Sequence, residues 1–256
     1  YWLERGAAGF RVDMAHSLIK NDPGFRKTNK LWRDIRAMLD REYPDAALVS
    51  EWSSPIDAIG AGFHMDFAAQ FNAPIFNPLF RAPGDAWGSH GYFNARGDGD
   101  ALAPLEEYLR HYRATQPRGY ISFQSANHDM ARMSGGRTLP EIEVAMAFIL
   151  TMPGVPFIYY GDEIGLRMPD DIASKEGGYE RTRCRTPMQW DATRNAGFST
   201  APASKLYLPL DSSDTRPCVA AQMRNPRSLL QRVRTLIALR AATPVLQGIA
   251  GFAGTF

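Results

Sequence analysis

The chain has 256 residues, enough for one large domain or two small ones, with 45% hydrophobic residues and 29 basic against 27 acidic side chains. A net charge of +2, with Lys and Arg scattered along the chain, excludes the electrostatic footprint of a nucleic-acid or anionic-membrane binder. Two cysteines, Cys184 and Cys218, define no disulfide framework; a single bridge stays open, and two free thiols are the plainer reading.

The chain opens without Met on "YWLERGAAGF", the end of a helix feeding a strand, and stops in mid-phrase at "GFAGTF", so it reads as a fragment of a longer protein. "GFRVDM" is the first strand. "GFRKTNKLWRDIRAMLDREYP" carries Phe25, Leu31, Trp32, Ile35, Met38 and Leu39 at helical spacing and stops at Pro44. "AALVSEW" and "FHMDFAAQF" are the next strands, and residues 101–116 form a helix. "GYISFQSANHD" is a strand, "LPEIEVAMAFILTM" a helix with Pro140 in its first turn, and "VPFIYYGDE" the last clear strand. An Arg-, Pro- and Gly-rich excursion then runs from 164 to about 226, and residues 228–244 close the set as an amphipathic helix. The longest apolar run, 144–160, approaches the length of a membrane span, but Pro153, Gly154 and Pro156 break it into a buried helix, a turn and a strand.

Strands alternating with helices predict an α/β fold with a parallel sheet. "GAAGF" precedes a strand instead of opening a helix, so the dinucleotide fingerprint fails. A partial (β/α)8 TIM barrel is the better architecture, with five strands, roughly the fourth to the eighth, and the N-terminal strands missing. The expected domains are 1–243, the C-terminal portion of a catalytic barrel, and 244–256, the start of a truncated C-terminal β domain.

Chemistry concentrates at the C-terminal strand ends, where barrel enzymes keep their active sites. The acids there are Asp13, Glu51, Asp129 after Asn127 and His128, and the pair Asp162 and Glu163. Arg11 and Asp13, two apart on a strand, share a face. Such a pair is either a solvated ion pair or a carboxylate held ionised for chemistry. One carboxyl kept protonated beside another kept charged is the division of labour that glycoside hydrolysis needs. Each residue also has a plainer role: Glu51 as a helix cap, Asp129 and His128 as metal ligands without a second His at ligand spacing, His16 as a packed ring, Asp162 and Glu163 as braces, and Tyr160 and Trp190 as packing.

In this order, "GFRVD", the Glu of "SEW" and "NHD" resemble glycoside hydrolase family 13, the α-amylase family. "MPGVPFIYYGDEIGL" is similar to its last barrel strand, and "CRTPMQWD" with "NAGFS" resembles the branch of α-glucosidases, oligo-1,6-glucosidases and trehalose synthases. The resemblance implies Asp13 as nucleophile, Arg11 as its orienting partner and Glu51 as general acid and then base. It implies Asp129 as the third acid gripping the sugar hydroxyls, and His128 and Arg132 as further sugar contacts. Neighbouring strands, ~4.8 Å apart, suit the ~5–5.5 Å carboxyl separation of a retaining enzyme. The family's earlier Asp and Asn-His motif has no counterpart in the chain. His16 and Ser17 stand where many members carry a calcium-linked Lys-His pair, and Met14 occupies a position tied to linkage preference.

The function implied is retaining hydrolysis of short α-glucosides, disaccharide or oligosaccharide, without cofactor or metal. Glucosyl transfer or isomerisation at the same site is the alternative. A non-catalytic transporter partner is disfavoured because Asp13, Glu51 and Asp129 are all present. The expected partner is the missing N-terminal part of the same barrel, without which the isolated chain is expected to be inactive; no nucleic acid or membrane is expected.

Overall fold

A computed structural model describes residues 1–68, 74–81, 91–97, 99–170, 172–175 and 180–247. In chain order the elements are β1 (Gly9–Val12), α1 (Arg26–Glu42), β2 (Ala47–Ser50), α2 (Pro55–Gly60), β3 (Met65–Phe67), α3 (Asn77–Phe80), α4 (Leu102–Thr115), β4 (Tyr120–Gln124), α5 (Leu139–Thr151), β5 (Val155–Phe157), α6 (Val219–Arg224) and α7 (Leu229–Ala242).

All five strands pair in parallel, and their order in the sheet is their order in the chain. Parallel neighbours need a crossover, and a helix lies between every successive pair. A doubly wound sheet reverses its strand order at a switch point, whereas this one never does, which is the winding of a (β/α) barrel. All the strands therefore deliver their C-terminal ends to one rim.

Two close approaches set the sheet. Gly9 has φ +147°, and a Cβ there would lie 2.0 Å from the Ala47 carbonyl oxygen; Gly154, at φ +110°, would place one 2.1 Å from the Ile121 oxygen. Any side chain at either glycine would push β1 off β2 or β5 off β4.

The helices pack by the periodicity of their apolar residues. α1 buries Trp32 and Leu39, and the Trp32 indole N–H donates to the Ala15 carbonyl at 3.0 Å. α5 buries Ile142, Ala145, Met146, Ile149 and Leu150, and α7 adds Leu229 and Val233 to the same cluster around Phe123 of β4. No helix among the described residues is long and apolar enough to cross a membrane. Both cysteines are free, with Cys184 buried.

Three helices were not anticipated, and all are short: α2, α3 and α6 have six, four and six residues. α6 interrupts the expected irregular excursion. Gln222 anchors it, donating to the Ile164 carbonyl at 2.7 Å and accepting from the Leu230 amide at 3.0 Å. Of the expected β domain, the described part is a 3₁₀ turn, Pro244–Leu246, and positions 248–256 lie outside the described residues.

Candidate active site

At the end of β1 the chain turns sharply, with Met14 at φ +41°, a left-handed conformation uncommon for a side chain of that size. The turn leaves the Asp13 carboxylate beside its own strand's Arg11, whose Nη1 lies 2.6 Å from Asp13 Oδ1. Its other terminal nitrogen, Nη2, lies 2.8 Å from Glu51 Oε2 at the end of β2. The Met14 amide donates to that same Glu51 oxygen at 3.1 Å. One guanidinium thus holds a carboxylate from each of two adjacent strands, and the register pairing Val12 with Ser50 places them side by side.

Hydrogen bonds from Arg11 and then from Glu51, joined by the charges of Arg11 and His128, outweigh desolvation and hold the Asp13 carboxyl below the usual carboxylate range. Asp13 is exposed, with 75% of its side-chain surface accessible, whereas Glu51 keeps only 11%. An ionised, accessible carboxylate therefore stands next to a sheltered carboxyl group.

Arg11 and Glu51 line a cavity of about 160 Å³ whose wall includes Phe67, Gln124, Asn127, His128 and Phe157. Phe67 and Phe157 meet edge-on at 4.8 Å between ring centroids, closing the cavity's apolar side. Phe67, Gln124 and Phe157 were not singled out from the sequence, although each closes its strand.

The "NHD" loop after β4 delivers its three residues differently. Asn127 and His128 face the cavity. Asp129 sits beside His128, with Oδ2 3.3 Å from Nε2, but is not among the lining residues. Its Oδ1 instead receives Arg185 at 2.6 Å and Arg181 at 3.1 Å, both from the excursion after β5. Arg185 also borders a second cavity of about 440 Å³, walled by Tyr160, Trp190, Phe198 and Tyr207.

Arg132, expected at the sugar, is elsewhere. It has no exposed surface; its guanidinium packs 5.0 and 4.6 Å from the ring centroids of Tyr159 and Tyr160 and donates to the Tyr160 carbonyl at 2.5 Å. In this arrangement it braces the β5 loop and offers no atom to a ligand. Asp162 is likewise a brace: wholly buried, it accepts from the Ser125 hydroxyl at 2.6 Å and the Met133 amide at 3.1 Å. His16 packs between Phe25 and Trp52.

The family sequence model described as "Alpha amylase, catalytic domain" matches residues 1–248. Among curated relatives, the trehalose synthase/amylase of Mycolicibacterium smegmatis is 29% identical over 94% of this chain and 45% of its own length. A probable alpha-glucosidase of Rhizobium meliloti is 26% identical over 96% of this chain and 50% of its own length. The chain spans about half the length of the curated relatives it matches. Among solved structures, an alpha-amylase from H. orenii superposes with a TM-score of 0.72 at 25% identity, covering 97% of this chain and 46% of that one. The trehalose-6-phosphate hydrolase of Bacillus licheniformis shares the fold at a TM-score of 0.73 and 21% identity, over 96% of this chain and 52% of its own. With a family match running from the first residue past the last helix, over the very strands whose ends gather Arg11, Asp13 and Glu51, this chain belongs to the α-amylase catalytic-domain family.

Proposed function

We propose that the protein is a retaining glycoside hydrolase acting on the α-glucosidic bonds of short α-glucosides through a covalent glycosyl-enzyme intermediate. The observation that carries this reading is the Arg11 bridge, which sets an ionised Asp13 beside a sheltered Glu51; Arg11 and Glu51 line the cavity, and Asp13 stands just outside its wall. Asp13 attacks the anomeric carbon while Glu51 gives its proton to the departing oxygen. Glu51, now a carboxylate, then takes a proton from water, and the resulting hydroxide displaces Asp13. His128 and Asn127 line the sugar's place; Asp129, beside His128 but outside the lining and paired with Arg181 and Arg185, reaches the sugar hydroxyls only by exchanging those partners for them.

Glucosyl transfer or isomerisation at the same residues is the second reading, favoured by the relatives named trehalose synthase. Product analysis with maltose separates the two: glucose alone supports hydrolysis, and a new disaccharide supports transfer. For either, Asp13→Ala is expected to abolish turnover with the fold intact, and first release of the β-anomer in an NMR time course would refute retention.

The proposal includes the partner. Among the described residues β1 and β5 each pair on one side only, whereas a closed barrel of this type has eight strands. The 256-residue chain is therefore expected to be inactive until the rest of its barrel is supplied. Full hydrolysis of p-nitrophenyl α-glucoside by the isolated chain would refute this part alone.

A further inference from the structure

Glu51 is held from two sides. Its carboxylate is gripped by the Arg11 guanidinium on β1 and the Met14 amide in the turn after it. Its backbone is gripped from β3 by a residue with no sequence motif around it, Asp66. Oδ1 of Asp66 accepts from the Ser50 hydroxyl at 2.6 Å and from the Trp52 amide at 3.0 Å, the two residues flanking Glu51. Ser50 and Asp66 are register partners and both are fully buried. Strand alternation puts Ser50 and Glu51 on opposite faces, so this bond fixes the side of β2 away from the cavity and aims Glu51 into it.

Beyond Trp52 the chain curls around the same carboxyl. The amides of Ser53 and Ser54 also turn toward it, and Ser53 adopts φ +63°. A left-handed serine is strained, and such strain persists where surrounding contacts over-determine it.

The construction recurs at the other acid-bearing loop. Ser125, just past β4, donates to buried Asp162 beyond β5, and the Met133 amide closes the far side of the "NHD" loop on the same carboxylate. In both cases a serine at a strand end and an amide beyond the functional acid converge on a buried aspartate, from the next strand for Asp66 and from the turn past the next strand for Asp162.

We propose that Asp66 is a positioning residue for Glu51, acting through the Ser50 hydroxyl and the Trp52 amide and never touching substrate. The proposal rests on Glu51 as the acid and base of the reading above. Oδ1 accepts these bonds whether or not the carboxyl carries a proton on its other oxygen, so the clamp itself does not depend on pH.

The test uses Asp66→Ala and Asp66→Asn in the protein at its full natural length, with two substrates that differ in their need for a proton. Maltose needs its leaving oxygen protonated, whereas α-glucosyl fluoride departs with little acid help. A displaced Glu51 therefore slows maltose at least about 10-fold and the fluoride by no more than about 3-fold, with KM nearly unchanged. Asp66→Asn keeps Oδ1 and is expected to recover most of the maltose rate. Equal loss on both substrates would mean a general structural role and overturn the proposal.

A second readout needs no activity. The Met14 amide bonds Glu51 and has no bond to Asp66, so its hydrogen exchange reports where the Glu51 carboxylate sits. Asp66→Ala is expected to accelerate it about 10-fold or more while amides of α5 keep their protection. Unchanged Met14 exchange overturns the clamp. If the parent turns over neither substrate, the functional reading has failed and Met14 exchange alone decides the clamp. If Asp66→Ala does not fold, Ser50→Ala, which removes one of the two donors, carries the same pair of measurements.

Discussion

Arg11 joins carboxylates from two strands: Nη1 is 2.6 Å from Asp13 and Nη2 is 2.8 Å from Glu51. A planar guanidinium can reach both at once, and the ammonium of lysine, a point charge on a flexible stem, cannot hold the same fork. Arg11→Lys is therefore expected to lower kcat/KM by about 10²-fold with the fold intact, as read by steady-state kinetics and circular dichroism.

The same contact sets a pH limb. Asp13 is held below the usual carboxylate range chiefly by its hydrogen bond from Arg11, and it must be ionised to attack. In Arg11→Met its folded pKa moves up toward the unfolded value. The acid limb of the kcat/KM profile is then expected to move to higher pH, with the alkaline limb left in place. A limb that stays where it is in the parent would separate Arg11 from the ionisation of Asp13.

What could be read in the sequence followed the range of its periodicities. α1 and α5 run 17 and 13 residues, long enough for an apolar face to repeat, and acids just past β1, β2, β4 and β5 mark one rim. The helices of four to six residues make fewer than two turns and carry no such repeat. Asp13 and Glu51 were legible because short local patterns hold them. The arginines that meet Asp129 lie 52 and 56 positions away in an irregular segment, where no spacing rule connects them. Arg132 was misplaced because its proximity to Asp129 in the chain says nothing of direction: the loop turns it under Tyr159 and Tyr160. Asp66 looked like one polar residue in a strand, and its role exists only through the pairing with Ser50.

The N-terminus of α5 is locked by Glu141, which accepts from the Thr138 amide at 2.6 Å and hydroxyl at 2.8 Å, and from the Ala95 amide at 2.6 Å. These bonds lower its pKa to about 2. A depressed carboxyl contributes stability above its unfolded value and loses it as pH falls through the folded one. Glu141 is half-buried at the protein surface, so the expected loss in Glu141→Ala at neutral pH is about 1 kcal/mol, the size of a helix cap. Urea titrations are expected to show that difference shrinking between about pH 4.5 and about pH 2, and a constant difference would assign it to packing.

The other end of α5 is closed by a residue from α7. Arg240 donates to the carbonyls of Leu150 at 2.9 Å and Met152 at 3.0 Å, at the helix end where carbonyls have no intrahelical partner, and to Gly154 at 2.6 Å in the turn beyond. Arg240→Ala leaves them unpaired in a part-buried place and is expected to cost about 1–3 kcal/mol. Thermal melts should show a fall of several degrees, and Arg240→Lys should recover less than half of it because one ammonium cannot span three carbonyls.

Asp66 gives stability a pH dependence of the opposite sign. Burial raises its pKa from 3.8 to about 7, while the Ser50 hydroxyl and the amides of Trp52, Ser54 and Ser53 pull the other way and do not cancel the desolvation. Between those values the folded protein keeps a proton that the unfolded chain has released. Folded binding exceeds unfolded binding there, so stability falls as pH rises from about 4 to about 7 and stays at the lower level above it. Asparagine at this position has no proton to lose. The stability of Asp66→Asn relative to the parent is therefore expected to improve by on the order of 3 kcal/mol from pH ~4.5 to pH ~8, even though its value at pH ~4.5 is lower than the parent's. Denaturant unfolding of both proteins at the two pH values measures the change, and parallel profiles would show that Asp66 ionises at its ordinary value with water reaching its carboxyl.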